Sequence, residues 1–254
     1  MEMPAEVINR LQALEQNRTK WEKLAPYTAW EIQSLNDASG FQVNLDHYGV
    51  TINELPGGMS AEQLLSHIRR NINDFVNSDI SVFTPHPDLP GEELLWHGSP
   101  LASIIQIDMY NFFGNVDDGT VICSDYQPAS WTFSTIKCPA DFQHPVAGNR
   151  KFAIEQNPDG SYEVYTSGVD RIMAGSDEAV ANLSEILRGY NAVFDSADDL
   201  WSSFQDKVSE FVNEHGGTAT VPEIRNSGAR IDYYKIEAYL KGEIGLLELR
   251  NDCD

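Results

Sequence analysis

Positive charge is what this chain has least of. Against 39 Asp and Glu it carries 17 Lys and Arg, a net charge of −22 over 254 residues. A surface so negative repels phosphate backbones and anionic lipid surfaces, which argues against nucleic-acid binding and membrane association. Cysteine is nearly absent: Cys123, Cys138 and Cys253 are the only three. An odd number with no C-x-x-C spacing makes neither a disulfide framework nor a zinc ribbon, so reduced thiols are expected, with a Cys123–Cys138 bridge left open. No apolar run approaches the roughly 18 residues that span a bilayer. The opening "MEMPAEVINRLQALEQ" has neither a basic nor an apolar leader region. The reading is a protein cytoplasmic when made, exported, if at all, without a cleaved signal. The six histidines show no H-x-x-x-H or H-E-x-x-H pairing, and neither G-x-G-x-x-G nor a Walker lysine occurs, so no metal or cofactor is expected.

What is present is a globular composition, 41% hydrophobic and 10% aromatic, enough to build a real core. Val7, Ile8, Leu11, Leu14, Trp21 and Leu24 sit at helical spacing, which predicts a helix from about Pro4 to Leu24 and a second over Ala29 to Leu35. "FQVNLDHYGVTINEL" alternates like a strand or a bent pair. "SAEQ" at Ser60 is a capping box opening a helix whose stripe runs through Leu64, Leu65, Ile68, Ile72, Phe75 and Val76. "TPHPDLPGEELLWHGSP" reads as a loop. From Ala102 the period becomes two: "IIQIDM", "GTVICS" and "WTFSTI" are strands, with "NVDDGT" as a turn. Arg150–Gln156 and Ser161–Thr166 then flank "NPDG", a type I turn signal, with Phe152, Ile154, Tyr162 and Val164 facing the core. Ser176 starts a helix ended by Gly189. Ser196 and Asp199 make a capping box for a longer one, carrying Leu200, Trp201, Phe204, Val208, Phe211 and Val212 and stopped at Gly216–Gly217. A weak strand at Thr218–Val221 and a helix near Tyr234–Leu240 follow.

Helices, then strands, then helices predict an α+β fold: a curved antiparallel sheet or partial barrel with a long C-terminal helix packed on it and N-terminal helices. Residues 1–36 would form an N-terminal helical segment and 37–254 a single α+β domain with its core in 60–217.

The chemistry-bearing residues crowd the open end of the "NPDG" hairpin. With Gln156 facing Ser161, Arg150 falls opposite Ser167 and Val146 towards Arg171. A bulge would shift this register by one and turn side chains over. His144, Asn149, Arg150, Asp170 and Arg171 then share a neighbourhood. One reading is a functional site. Asn149, Arg150 and Arg171 would bind a small anion, Asp170 would orient the arginines, and His144 would do acid–base work. The other is a structural Asp170–arginine pair with a hydrogen-bonded histidine. Cys138 beside His144 and the "HGSP" stretch at His97 lack the context of a nucleophile.

The segments "INDFVN", "PLASIIQIDM", "WTFSTI", "HPVAGNRKF", "NPDGSYEVYTSGVDR" and "DLWSSFQDKVSEFVNEHGG" resemble a module of uncharacterised bacterial proteins, some of them Rhs-type polymorphic toxins. The resemblance covers about Leu64 to Gly217 and departs at Ser167, where the group carries arginine. It implies an effector-type or toxin-associated domain, with a secretion apparatus or a related toxin protein as partner, and it names no activity. From another class, the chain reads as a non-catalytic carrier with an apolar pocket between sheet and Ser196 helix, or as an immunity-like binding partner.

Overall fold

The computed structural model describes residues 3–19, 29–110, 116–173 and 192–250. In chain order these form α1 (Ala5–Gln16), β1 (Glu31–Ile32), β2 (Gln42–Glu54), α2 (Ala61–Arg70), β3 (Ser81–Pro85), α3 (Glu92–His97), β4 (Ile104–Tyr110), β5 (Val116–Gln127) and β6 (Ser130–Lys137). They continue with β7 (Val146–Gln156), β8 (Tyr162–Ile172), α4 (Ala192–Glu214), β9 (Thr218–Thr220), β10 (Ala229–Asp232), α5 (Tyr233–Leu240) and α6 (Leu246–Arg250). The fold is α+β. One antiparallel sheet runs β10-β2-β8-β7-β6-β5-β4-β3, with β1 added to β6 and β9 to β2. The long helix α4 lies across it.

The sheet is strongly curved, and two contacts require it. In a flat sheet β2 and β3 would stand six strand spacings apart, about 29 Å. Yet the Trp201 ring of α4 meets Phe83 of β3 at 6.4 Å, while Asp198, three residues earlier, takes the hydroxyl of Tyr48 from β2. The sheet curls to present both ends to one helix. A bulge where β5 shifts register against β6, between Cys123 and Asp125, is one place where it bends.

Period two assigns the faces. Tyr48, Val50 and Ile52, Ile105 and Ile107, Val121 and Cys123, Trp131 and Phe133, Phe152 and Ile154, and Val164 all point inward. They meet Leu200, Trp201, Phe204, Val208 and Val212 of α4, spaced three to four residues apart along one side of the helix. Each such side chain contributes about 1.5–3 kcal/mol on burial. Aromatic rings fill the space between sheet and helix: Trp131 stacks on Phe152 at 4.6 Å, and Phe152 meets Trp201 and Phe204 edge-on. On the outer face Ile104, Ile122 and Ile136 are covered by Val7 and Leu11 of α1. With both faces buried, β4 and β5 lose strict alternation and read as apolar runs.

Several boundaries differ from the sequence reading. The first helix ends at Gln16, and residues 29–35 are no second helix. Glu31–Ile32 pairs with β6, followed by a 3-10 turn at Leu35–Asp37. The 1–36 segment is thus stitched to the main sheet at Ile32↔Ile136. The Ser60 box forms as expected, but α2 stops at Arg70 and a 3-10 turn at Ile72–Asp74 carries the stripe on to Phe75. The proline-rich loop hides the end of β3 and all of α3. "VDDGT" is strand, not turn. α4 begins at Ala192, so Ser196 lies within the helix and caps nothing. The helix expected from Ser176 falls outside the described residues. Cys123 and Cys138 are buried and unpaired.

Candidate functional site

The hairpin forms at "NPDG", one residue out of the expected register. Asn157 and Ser161 pair, and Gly160 takes φ +94°, so the turn closes with a left-handed glycine that adds one residue to the loop. Gln156 therefore faces Tyr162, Arg150 faces Gly168 and Val146 faces Ile172. Alternation then divides the predicted cluster. Arg150 and Asp170 point into the concave interior, whereas Asn149 and Arg171 belong to the outer face, and the two arginines do not combine into one anion site.

Inside, Arg150 is fully engaged. Its Nη1 and Nη2 donate to the two oxygens of Asp46 at 2.8 and 2.6 Å, Nη2 also reaches Asp170 at 3.2 Å, and Trp201 covers the guanidinium at 4.3 Å. Asp46 further accepts from the Gly168 amide at 2.9 Å and from Asn44 at 2.8 Å. A Cβ at Gly168 would sit 2.3 Å from Arg150 Nη2 and would force the bound guanidinium to shift. Burial works against the Arg150 charge, but Asp46 and Asp170 outweigh it and hold the guanidinium above its ordinary range. Burial, reinforced by the Asp46 carboxylate, pushes Asp170 up to about 7, against the pull of Arg150.

The cluster continues towards solvent through residues the sequence reading missed. The Tyr48 hydroxyl donates to Asp198, whose other oxygen accepts from Arg230 at 2.8 Å. Arg230 also reaches Asp195 at 3.1 Å. Burial raises both Tyr48 and Asp198. The available signal was periodicity: Asn44 and Asp46 share the face of Tyr48, Val50 and Ile52, so polar residues stood at core-facing positions of β2.

The remaining predicted residues are structural in their contacts. Asn149 is exposed and accepts from Ser134 at 2.6 Å. Arg171 donates to the carbonyls of Gly40 and Leu35 at 2.7 and 3.0 Å and stacks under Tyr233 at 3.5 Å, locking 35–40 to β8. His144 exchanges backbone–side-chain hydrogen bonds with Gln33 at 2.8 and 3.1 Å, and its Nδ1 lies 3.0 Å from the Val146 carbonyl. Burial drives its pKa down to about 4, so the ring is neutral at pH 7 and poorly suited to proton transfer there.

A cavity of about 440 Å³ opens elsewhere, on the outer face, beside the C-terminal end of α1. Leu14, Trp30, Leu89 and Pro139 give it apolar walls, and His86 and Asp88 line it too. His86 follows β3, where its amide donates to the Ile104 carbonyl at 2.9 Å and the Leu89 amide returns to its own carbonyl. That turn fixes the imidazole beside Trp30, with ring centroids 5.7 Å apart. The side chain is 3% exposed, and neither ring nitrogen has a hydrogen-bond partner among the described residues. Burial lowers its pKa, while Asp141, Asp88 and Glu92 oppose the shift. The neutral ring carries one donor and one acceptor, and neither nitrogen is exposed to solvent.

Among the described residues no group of three His, Cys, Asp or Glu side chains is placed to hold a metal ion, and no helix is long and apolar enough to cross a membrane. No family model and no curated protein matches the chain. Solved structures similar to it include protein Ms6760 from Mycobacterium smegmatis, with 11% identity, 72% of this chain and 95% of that one covered, and a TM-score of 0.38. Others are the Zhui aromatase/cyclase from Streptomyces sp. R1128 (12% identity, 69% and 99% covered, TM-score 0.43) and Ara h 8.0201 (9%, 67% and 99%, TM-score 0.34).

Proposed function

We propose that this protein is a non-catalytic small-molecule-binding module whose ligand seats in the cavity beside His86. One observation carries the reading: a buried imidazole with both nitrogens unpartnered lines a cavity large enough for a drug-sized molecule. Leaving such a buried polar group unsatisfied costs about 1–3 kcal/mol, which a ligand hydrogen bond recovers. Arg18 and Asp88 both line the cavity, so its charges oppose one another and a neutral aromatic compound, stacked against Trp30, suits it best. The test is titration of the full chain with indole, benzamide and tryptamine, followed through the Trp30 indole NMR signal, assigned with Trp30→Phe. Saturable shifts that disappear in His86→Phe support the proposal. If none of the three moves the Trp30 signal, or if His86→Phe responds like the parent, the proposal is wrong.

A second reading is an effector-type catalytic domain, supported by the sequence motif and by a carboxyl group, Asp170, that titrates near neutrality beside Arg150. Expression in a bacterial host checks it. Toxicity that Asp170→Asn removes, while the variant remains folded, favours it; harmless expression of the parent counts against an intracellular bacterial target.

A further inference from the structure

The lining of the cavity at His86 comes from two parts of the chain. Leu14 and Asn17 belong to the C-terminal end of α1 and its cap. Trp30, His86, Leu89 and Pro139 belong to the body of the protein. The cavity therefore has its present shape only while α1 is docked.

Docking rests on few groups. At 12 residues α1 is marginal as a helix in water, so its helicity depends on the surface beneath it. Val7 and Leu11 are buried, against Ile104, Ile122 and Ile136, whereas Ile8 stays 41% exposed. Arg10 reaches across to Glu92 of α3, a buried carboxylate whose other oxygen accepts from the Ile104 amide at 2.7 Å. That contact is one-point. A single Arg10 nitrogen, Nη2, makes it, and Nε is unpartnered among the described residues. A two-point fork would hold the carboxylate more firmly; this pair is a catch, and the half-buried Arg10 is the part free to move. Glu15 adds a third tie, accepting from the Trp30 amide at 3.0 Å. Through it α1 steadies the residue whose ring lies 5.7 Å from the His86 imidazole. With α1 docked, the cavity has room for a ligand, but neither imidazole nitrogen reaches solvent.

We propose that α1 is a lid: it releases from the sheet as a unit, takes Leu14 and Glu15 away from the cavity, frees Trp30 to move off His86, and closes again over the ligand. The inference rests on the reading of this cavity as a binding site and adds how the site is loaded. Opening a lightly docked terminal helix takes less free energy than unfolding the sheet, so the motion is available to the folded protein.

Two measurements on the full chain at neutral pH test it. One is amide hydrogen exchange across residues 5–16. The other is the rate at which diethyl pyrocarbonate acylates His86, followed by mass spectrometry. That reagent needs a neutral imidazole nitrogen in contact with solvent, and burial keeps His86 neutral. Leu11→Ala weakens the apolar contact and Arg10→Met opens the catch. Each raises both rates by similar factors, about ten-fold or more, with exchange in β7 and β8 unchanged. Saturating indole slows both rates in the parent. The inference is overturned if α1 exchange rises in the variants while His86 acylation does not, or if neither variant changes α1 exchange. It is equally overturned if α1 exchanges only as fast as β7 and β8, since it would then open only with the whole domain. If indole shifts the Trp30 signal without slowing α1, the lid falls and the binding reading stands. If indole leaves that signal unmoved while both rates rise together in the variants, the lid stands and indole falls as a ligand.

Discussion

Replacing Arg150 by alanine should unfold this domain far more readily than its position in a polar cluster implies. Among the described residues the guanidinium supplies two of the four hydrogen bonds to Asp46 and the only counter-charge in contact with Asp170. Without it, two carboxylates face each other in the interior. Asp170, already pushed up by burial, takes a proton, but Asp46 keeps only the neutral donors Gly168 and Asn44. Breaking a buried pair from one side costs about 3–5 kcal/mol. The lost contact with Trp201, worth about 0.5–2 kcal/mol, overlaps with that figure and is not added to it. For a domain of this size each kcal/mol lowers Tm by about 2–4 °C, so a drop of roughly 10 °C follows. Urea unfolding monitored by circular dichroism gives the free energy, with an unchanged slope confirming that the same surface is exposed. Arg150→Ala combined with Asp46→Ala should cost at least about 1 kcal/mol less than the two singles summed. A single-mutant loss below about 1 kcal/mol would refute the claim that this pair is buried and mutually dependent.

Gly168→Ala should destabilise by about 1–3 kcal/mol in the same assay, since its Cβ collides with Arg150 Nη2 and overpacked cores cost that much. Asp170 and His144 give opposite pH signatures. The raised carboxyl of Asp170 binds its proton more tightly in the folded state, so its contribution is present at low pH and fades as pH rises from about 4 to about 7. The lowered imidazole of His144 contributes above its unfolded pKa and loses that contribution as pH falls through about 4. Stability–pH curves of Asp170→Asn and His144→Gln, each subtracted from the parent, should slope in opposite directions. In a Cys253→Ser background, native protein should resist thiol labelling at pH 8, because burial pushes Cys123 up to about 12 and also raises Cys138. Ser60→Ala should lose about 1 kcal/mol with its capping box.

The fold class was legible because its signals are local. The Ser60 box, the apolar side of α4 and the alternation around "NPDG" each fix an element without reference to the rest. The site was less legible because it depends on parity. A single left-handed residue, Gly160, decided which predicted neighbours face each other, and the alternation of β7 and β8 then sent Asn149 and Arg171 outward. Asp46 belongs to a strand brought alongside β8 from far upstream, so no spacing near Arg150 announces it. Arg69 was hidden for the opposite reason. A lone cation on a helix reads as a solvated residue, and only the packing of α2 against Trp96 and Tyr126 reveals that Arg69 is buried. His86 lay in a proline-rich stretch whose polar composition masks a fixed turn.

The pairing of β2 with β8 joins Val43 to Arg171 and Ile52 to Tyr162. On a ribosome, the first long strand therefore emerges well before the surface it must dock against. Until β8 is made, β2 carries an unzipped edge and the charged Asp46 without Arg150. Closing so long a loop is slow, and a waiting strand edge is a place where chains stick to one another. The heavy negative charge of the nascent chain would hold such copies apart, which gives the composition a role during synthesis as well as in the finished molecule.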